Sequence, residues 1–81
     1  MIAAALALAL TAPQARDAEQ LVGLLDYVAG DYAGAVKDGR VVAQAEYDEQ
    51  KAFVADARAL ARSLGQPDAP FAALAALVAG V

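Results

Sequence analysis

Apolar residues recur at helical spacing in two stretches on either side of Asp38-Gly39, and this repeat limits the chain to a helical fold. The first stretch presents Leu21, Leu24, Leu25, Val28, Tyr32, Ala35 and Val36. The second presents Phe53, Val54, Ala57, Leu60, Ala61 and Leu64. Asp38-Gly39 favours a chain reversal, and Gly65 followed by Pro67 favours a helix end. We therefore predict an all-α fold built on an antiparallel helical hairpin, with helices at about 18–37 and 44–64.

The predicted first helix has a good start and a weak interior. Asp17 and Gln20 have the spacing of a capping pair at a helix N-terminus. Gly23, Gly30 and Gly34 fall on the side opposite the apolar stripe, and three interior glycines cost about 2 to 3 kcal/mol in helix propensity relative to alanine. We therefore expect a kink or a break near Gly30 to Gly34.

The chain after the first helix reads as an extended connector, the second helix and a short third helix. The connector is predicted at 40–43, and the third helix at about 69–79, starting from Asp68 with Pro70 in its first turn. This helix is apolar on almost every side, so it requires a packing partner. Because it is barely complete at Val81, we expect the sequence to be a truncated product or the leading part of a longer protein.

The N-terminus resembles an export signal. Residues 2–10 form an apolar run that is too short to span a bilayer, and Thr11 to Ala15 follow before the composition becomes charged. No lysine or arginine precedes the run, which departs from the usual signal. We predict a signal peptide at 1–15, a small helical domain at 16–81, and a periplasmic or secreted location.

Composition excludes several classes of function. The chain has ten acidic and six basic residues, a formal net charge of −4, no histidine and no cysteine. An acidic chain lacks the basic face that nucleic acid requires, so we expect no nucleic-acid partner. Without histidine or cysteine, and with Ser63 as the only serine, no catalytic constellation is recognisable, and we predict that the chain is not an enzyme.

One position in the second helix favours a metal site. Glu46 and Gln50 fall near the centre of its apolar stripe, where aliphatic residues are expected. Ferric iron favours carboxylate and phenolate oxygens, and Glu46 can approach Asp31 and Tyr27 on the first helix. These three residues are the predicted metal ligands, with iron as the metal. A structural interpretation is more economical: Glu46 caps the helix and the tyrosines pack as amphipathic core residues.

The charged residues of the second helix are predicted to form a solvated face with some favourable pairing. They are Asp48, Glu49, Lys51, Asp56, Arg58 and Arg62.

The stretch from Asp26 to Tyr47 carries the pattern DYxxxDYxGAVxxGxVxxxxEY. It resembles the periplasmic N-terminal region of bacterial high-affinity iron permeases, in particular the fusions with a c-type cytochrome domain, over roughly residues 16–64. The resemblance implies an exported helical region that continues into a haem-bearing domain and then a membrane permease that moves iron inward. The expected partners are those downstream cytochrome c and permease domains or another periplasmic protein, with membrane association only through a longer parent protein.

This chain lacks the Cys-x-x-Cys-His motif for haem and the Arg-Glu-x-x-Glu motif of the permease helices. Alone, it is therefore not expected to transport iron. The resemblance leaves two roles for it within an iron-uptake protein, iron binding and scaffolding.

Two other classes of function stay open. One is a self-contained secreted helical hairpin that acts through protein contacts, with 71–78 docking on a partner. The other is an amphipathic peptide that lies on a membrane surface through its N-terminal run and its last helix. Its net negative charge disfavours this second class, because anionic lipid repels it.

Overall fold

The computed structural model describes residues 11–81, and these residues form three helices and one two-stranded turn. The elements are helix α1 (Ala12–Ala35), strand β1 (Val36–Lys37), strand β2 (Arg40–Val41), helix α2 (Gln44–Ser63) and helix α3 (Ala69–Ala79). The predicted helical hairpin with a short third helix is therefore confirmed.

Helix α1 begins earlier than predicted. Thr11 is its N-cap: the Thr11 hydroxyl accepts from the backbone N–H of Gln14 at 3.3 Å, and the Gln14 side chain accepts from the backbone N–H of Thr11 at 3.0 Å. This reciprocal pair satisfies two N–H groups that a helix start leaves unpaired, and Pro13 fits the first turn. Asp17 and Gln20 thus lie inside the helix. Residues 2–10 of the predicted signal peptide lie outside the described residues.

Helix α1 ends two residues before the predicted position, in a tight β-turn. Val36 pairs with Val41 and Lys37 with Arg40 in an antiparallel ladder. Asp38 and Gly39, at φ 52° and 73°, form the turn between them, as a two-residue hairpin of the I′ type requires. Of the connector predicted at 40–43, Arg40 and Val41 form β2, and Ala43 is the N-cap of α2 with an extended backbone.

The predicted break near Gly30 to Gly34 is wrong, because α1 is one continuous helix to Ala35, whereas a kink there stays a prediction. A methyl group built on Gly30 or Gly34 meets nothing within 4 Å, so both glycines border open space. Packing of the opposite face holds the helix together across them, which is how tertiary contacts override weak propensity.

Helix α2 ends at Ser63, and the predicted Gly65 forms the turn that follows it. The backbone N–H of Gly65 donates to the carbonyl of Arg62 at 3.0 Å, and that of Gln66 donates to the carbonyl of Ala61 at 2.9 Å. This is a Schellman arrangement, which needs a residue in the left-handed region, and Gly65 has φ 74°. The turn directs the chain back along α2 toward α3.

The core lies along the antiparallel α1–α2 contact and forms two clusters. Near the middle of the hairpin and its β-turn, the buried residues are Val28, Ala35, Tyr47, Val54 and Val78. Toward the other end they are Leu21, Ala57 and Ala61, with Leu24, Leu25, Leu60, Leu64 and Phe71 packed against them. Both predicted apolar stripes face this core.

Helix α3 folds back onto the hairpin. Val78 is buried and Phe71 is half-buried against the second cluster, whereas Leu77 is 73% exposed. The buried Tyr47 hydroxyl donates to the carbonyl of Val78 at 2.6 Å, which joins the start of α2 to the end of α3. The hairpin of this chain thus covers one side of the apolar third helix.

Candidate metal-binding site

An open cavity of about 400 Å³ lies between α1 and α2 on the β-turn side of the hairpin. Its lining consists of Gly30, Asp31 and Gly34 from α1 and Glu46, Glu49 and Gln50 from α2. We call it the carboxylate cavity. The short β1–β2 turn places the end of α1 beside the start of α2, and the spacing of the three α2 residues puts them on one helix face.

Two of the predicted metal ligands, Asp31 and Glu46, border this cavity from opposite helices, and both are exposed. Glu46 lies in the first turn of α2, where the helix dipole stabilises a negative charge. Its predicted position at the centre of the apolar stripe is wrong. The neighbouring Tyr47 occupies that position and is buried, because α2 turns 47, 50, 54, 57 and 61 toward the core.

The structural interpretation of Glu46 also needs correction. Ala43 is the N-cap of α2 and makes no side-chain capping bond, and within residues 11–81 Glu46 accepts no hydrogen bond. The tyrosine half of that interpretation is correct for Tyr47 and Tyr32, which are buried and half-buried against the core. Glu46 is therefore a solvent-facing carboxylate without a capping role.

The third predicted ligand, Tyr27, does not border the carboxylate cavity. Tyr27 is 61% exposed, and the centroid of its ring lies 5.7 Å from that of Phe53. It borders a neighbouring cavity of about 380 Å³ together with Gly23, Asp26 and Asp31. Asp31 thus shares one cavity with Glu46 and another with Tyr27. Metal binding by the full set of three stays a prediction.

Among residues 11–81, the polar residue that is buried is Gln50. It is 1% exposed, and its Oε1 has no hydrogen-bond partner among residues 11–81. A buried acceptor left unpaired costs about 1 to 3 kcal/mol, so native proteins rarely keep one without a reason. Its place in the apolar stripe pointed to this burial, but sequence analysis did not assign it to the metal site.

Glu49 is the second residue of the site that sequence analysis missed. It was assigned to the solvated face of α2, and it is indeed exposed, yet it borders the carboxylate cavity beside Glu46. Its position three residues after Glu46 on a helix was the available signal. None of the three carboxylates takes part in an ion pair within the described range.

The described residues contain no group of three or more aspartate, glutamate, histidine or cysteine side chains converged closely enough to hold a metal ion. The cavity therefore offers exposed carboxylates that do not converge, rather than a preformed cage. Oxygen donors of this kind suit hard cations, and the absence of histidine and cysteine from the whole sequence leaves no softer donor set.

A second charged group lies at the opposite end of α2. Arg58 binds Asp68 through two hydrogen bonds, Nε to Oδ1 at 2.8 Å and Nη2 to Oδ2 at 2.7 Å, and Arg62 Nε adds a third at 3.2 Å. We call it the arginine–aspartate cluster. The hydrogen bond from Arg58, assisted by that from Arg62, holds the pKa of Asp68 well below its usual range. Asp68 begins α3 as predicted, but it binds these arginines instead of capping the helix.

Residues 11–81 thus form three helices, with exposed carboxylates from two of them bordering one open cavity. The family model of the iron permease-associated 4-helix bundle domain matches residues 9–77. The chain therefore belongs to the iron permease-associated 4-helix bundle family, which confirms the resemblance to the N-terminal region of iron permeases. No curated protein and no solved structure matches the chain.

The helices of the described segment are each too short or too polar to cross a membrane.

Proposed function

We propose that this chain is a periplasmic helical domain of an iron-permease-type uptake protein, in which it holds iron as cargo and does not transport it alone. One observation carries the iron-binding part: Asp31 and Glu46, from two different helices, border one cavity in a domain of an iron permease-associated family. Carboxylate oxygens are the donors that ferric iron favours.

The proposal gives the domain an accessory role beside the permease. Its sequence lacks the Arg-Glu-x-x-Glu motif expected of the permease helices and lacks cysteine for haem attachment, so those chemistries belong to the proposed cytochrome c and permease partners. Open, exposed carboxylates bind a cation less tightly than a closed cage, because their side chains lose rotamer freedom on binding. Such a site is suited to releasing its cargo to a transporter.

The iron-binding role is tested by calorimetric titration of the full chain with ferric citrate at pH 7. We expect saturable binding that is at least about tenfold weaker in the double variant Asp31→Asn/Glu46→Gln, a loss equivalent to about 1.4 kcal/mol. Asp56→Asn is the matched control, because Asp56 is an exposed α2 carboxylate that borders neither the carboxylate cavity nor the neighbouring cavity. Absence of heat in the unmodified chain contradicts iron binding.

Export is tested separately, by mass spectrometry of the chain recovered from the periplasm of a bacterial host. We expect cleavage after Ala15. That cut removes Thr11 and the first turn of α1, and Asp17 with Gln20 then provides the new capping pair. Recovery of the intact chain from the cytoplasm contradicts the periplasmic assignment.

The alternative, a self-contained interaction module that docks through 71–78, has less support. Phe71 and Val78 face the hairpin core, and Leu77 is the large side chain of that segment that remains exposed. The hairpin thus already covers the face of α3 that carries Phe71 and Val78, which leaves Leu77 as the large apolar side chain of the segment that a partner could contact.

A further inference from the structure

We propose that Glu49 and the side-chain amide oxygen of Gln50 complete the cation site at the carboxylate cavity with Asp31 and Glu46, and that Tyr27 lies outside it. The inference rests on the proposed function, because it names the ligands of that same iron site. It assigns four oxygen-donor residues, three charged and one neutral, to one hard cation.

Gln50 supplies the first argument. Its side chain borders the cavity, is almost fully buried, and has an Oε1 atom without a hydrogen-bond partner in the described residues. A half-turn of the terminal amide exchanges its oxygen and nitrogen, so a bound cation selects the orientation that presents the oxygen to the cavity. Amide oxygens are ordinary ligands of hard cations.

The local helix geometry supplies the second argument. Glu46, Glu49 and Gln50 stand at positions i, i+3 and i+4 of α2, so their side chains lie over the same part of its surface. Asp31 approaches from α1, where Gly30 and Gly34 carry no side chain into the shared space. The cavity therefore has room for an ion between the two helices.

Charge supplies the third argument. Asp31, Glu46 and Glu49 bring three negative charges to one cavity, and no lysine or arginine of the described part pairs with any of them. Like charges so placed repel one another, and a multivalent cation removes that repulsion. The buried amide is the fixed member of the set, while the three exposed carboxylates turn inward when the ion arrives.

Tyr27 is excluded by position. It borders the neighbouring cavity and its ring packs against Phe53, so the tyrosine ring stays with the aromatic pair when the carboxylates close on a cation. The Tyr27 phenolate of the predicted ligand set is therefore replaced by the Glu49 carboxylate and the Gln50 amide, which lie about one turn after Glu46 on α2.

The test is titration of ferric citrate into four forms of the full chain: unmodified, Gln50→Leu, Glu49→Gln and Tyr27→Phe. Gln50→Leu keeps the volume of the side chain and removes the unpaired oxygen, so we expect the unliganded protein to unfold at the same temperature or higher. We expect its affinity for iron to fall at least about fivefold, that of Glu49→Gln at least about tenfold, and that of Tyr27→Phe to stay unchanged. Gln20→Leu, at an exposed position of α1 away from the cavity, is the control for Gln50→Leu.

Each contrary outcome has a distinct meaning. Unchanged affinity in Gln50→Leu and Glu49→Gln, with iron still bound, overturns this ligand set and leaves the proposed iron-binding function in place. It then identifies Gln50 as a polar core residue that pairs with a buried water. A loss of affinity in Tyr27→Phe moves the site to the neighbouring cavity and also overturns the inference. No binding by the unmodified chain overturns both proposals.

Discussion

At its C-terminal end α2 holds Arg58 and Arg62 against Asp68, whereas at its N-terminal end it places Glu46 and Glu49 beside Asp31 with no basic partner in the described residues. In the first group the Asp68 carboxylate is paired with both arginines, and its bidentate bond to Arg58 fixes α3 to α2. The second leaves three negative charges and a buried amide oxygen unmatched. The charged residues of one helix therefore stabilise the fold where they are paired, and remain available to a ligand where they are not.

Breaking the arginine–aspartate cluster is expected to have the largest effect on stability. Arg58→Ala removes both bonds of the bidentate pair, and we expect the Tm at pH 7 to fall by about 5 °C, as is typical for loss of one strong interaction in a domain of this size. Thermal unfolding followed by circular dichroism measures it. Glu49→Gln, at the other end of α2, is the control and should not lower the Tm. An equal fall in both variants contradicts the distinction between the two ends.

The same cluster predicts a dependence on pH. Because the folded protein holds the pKa of Asp68 below its ordinary value, the unfolded chain binds the proton more readily. The contribution of Asp68 to stability is therefore complete above a pH of about 4, the ordinary carboxyl pKa, and is lost as the pH falls below it. We expect the Tm difference between the unmodified chain and Asp68→Asn to shrink between pH 5 and pH 2, values chosen to bracket that pKa. A constant difference across this range contradicts the assignment.

The bond between Tyr47 and Val78 ties the start of α2 to α3 and is independent of both charged groups. Tyr47→Phe removes the hydroxyl and leaves the buried carbonyl of Val78 unpaired, so we expect a loss of about 1 kcal/mol in the free energy of unfolding. Urea denaturation measures it. Tyr32→Phe, for which no side-chain hydrogen bond is present among residues 11–81, should change stability less; a larger effect there contradicts the role given to the Tyr47 hydroxyl.

The smallest expected effect is a gain in stability. Gly30→Ala adds a methyl group into open space on α1, and we expect about 0.5 to 1 kcal/mol of added stability from helix propensity and a less flexible unfolded chain. Urea denaturation detects it. The change should leave the arginine–aspartate cluster untouched, so the fall in Tm caused by Arg58→Ala should be the same in either background. A loss of stability contradicts the open surface seen at this glycine.

The core could be predicted from the sequence, because it follows from the local periodicity of the apolar residues. The stripe through Leu21, Val28 and Ala35 and that through Val54 and Ala57 both face inward as expected. The positions of the helix ends were harder to predict from the sequence. Thr11 caps α1 in place of Asp17, since both residues open a capping pattern and only the structure shows which is used.

The residues of the candidate site could be predicted only in part, for two reasons. A one-residue error in the rotation of α2 exchanged Glu46 with Tyr47, because the two are adjacent and only packing against α1 fixes which is buried. The pairing of Arg58 with Asp68 depends on the turn at Gly65, which brings together residues ten apart. No helical spacing predicts such a contact. The approach of Asp31 to Glu46 was predictable, since the hairpin alone requires it.

The most direct measurement of the contrast between the two ends of α2 is an NMR titration of the ¹⁵N-labelled full chain with ferric citrate. Ferric iron is paramagnetic and broadens the amide signals nearest to it. We predict selective loss of the signals of 30–34 and 46–50, with those of 58–68 retained. Broadening centred on 58–68, or spread evenly along the chain, would contradict a cation site at the carboxylate cavity.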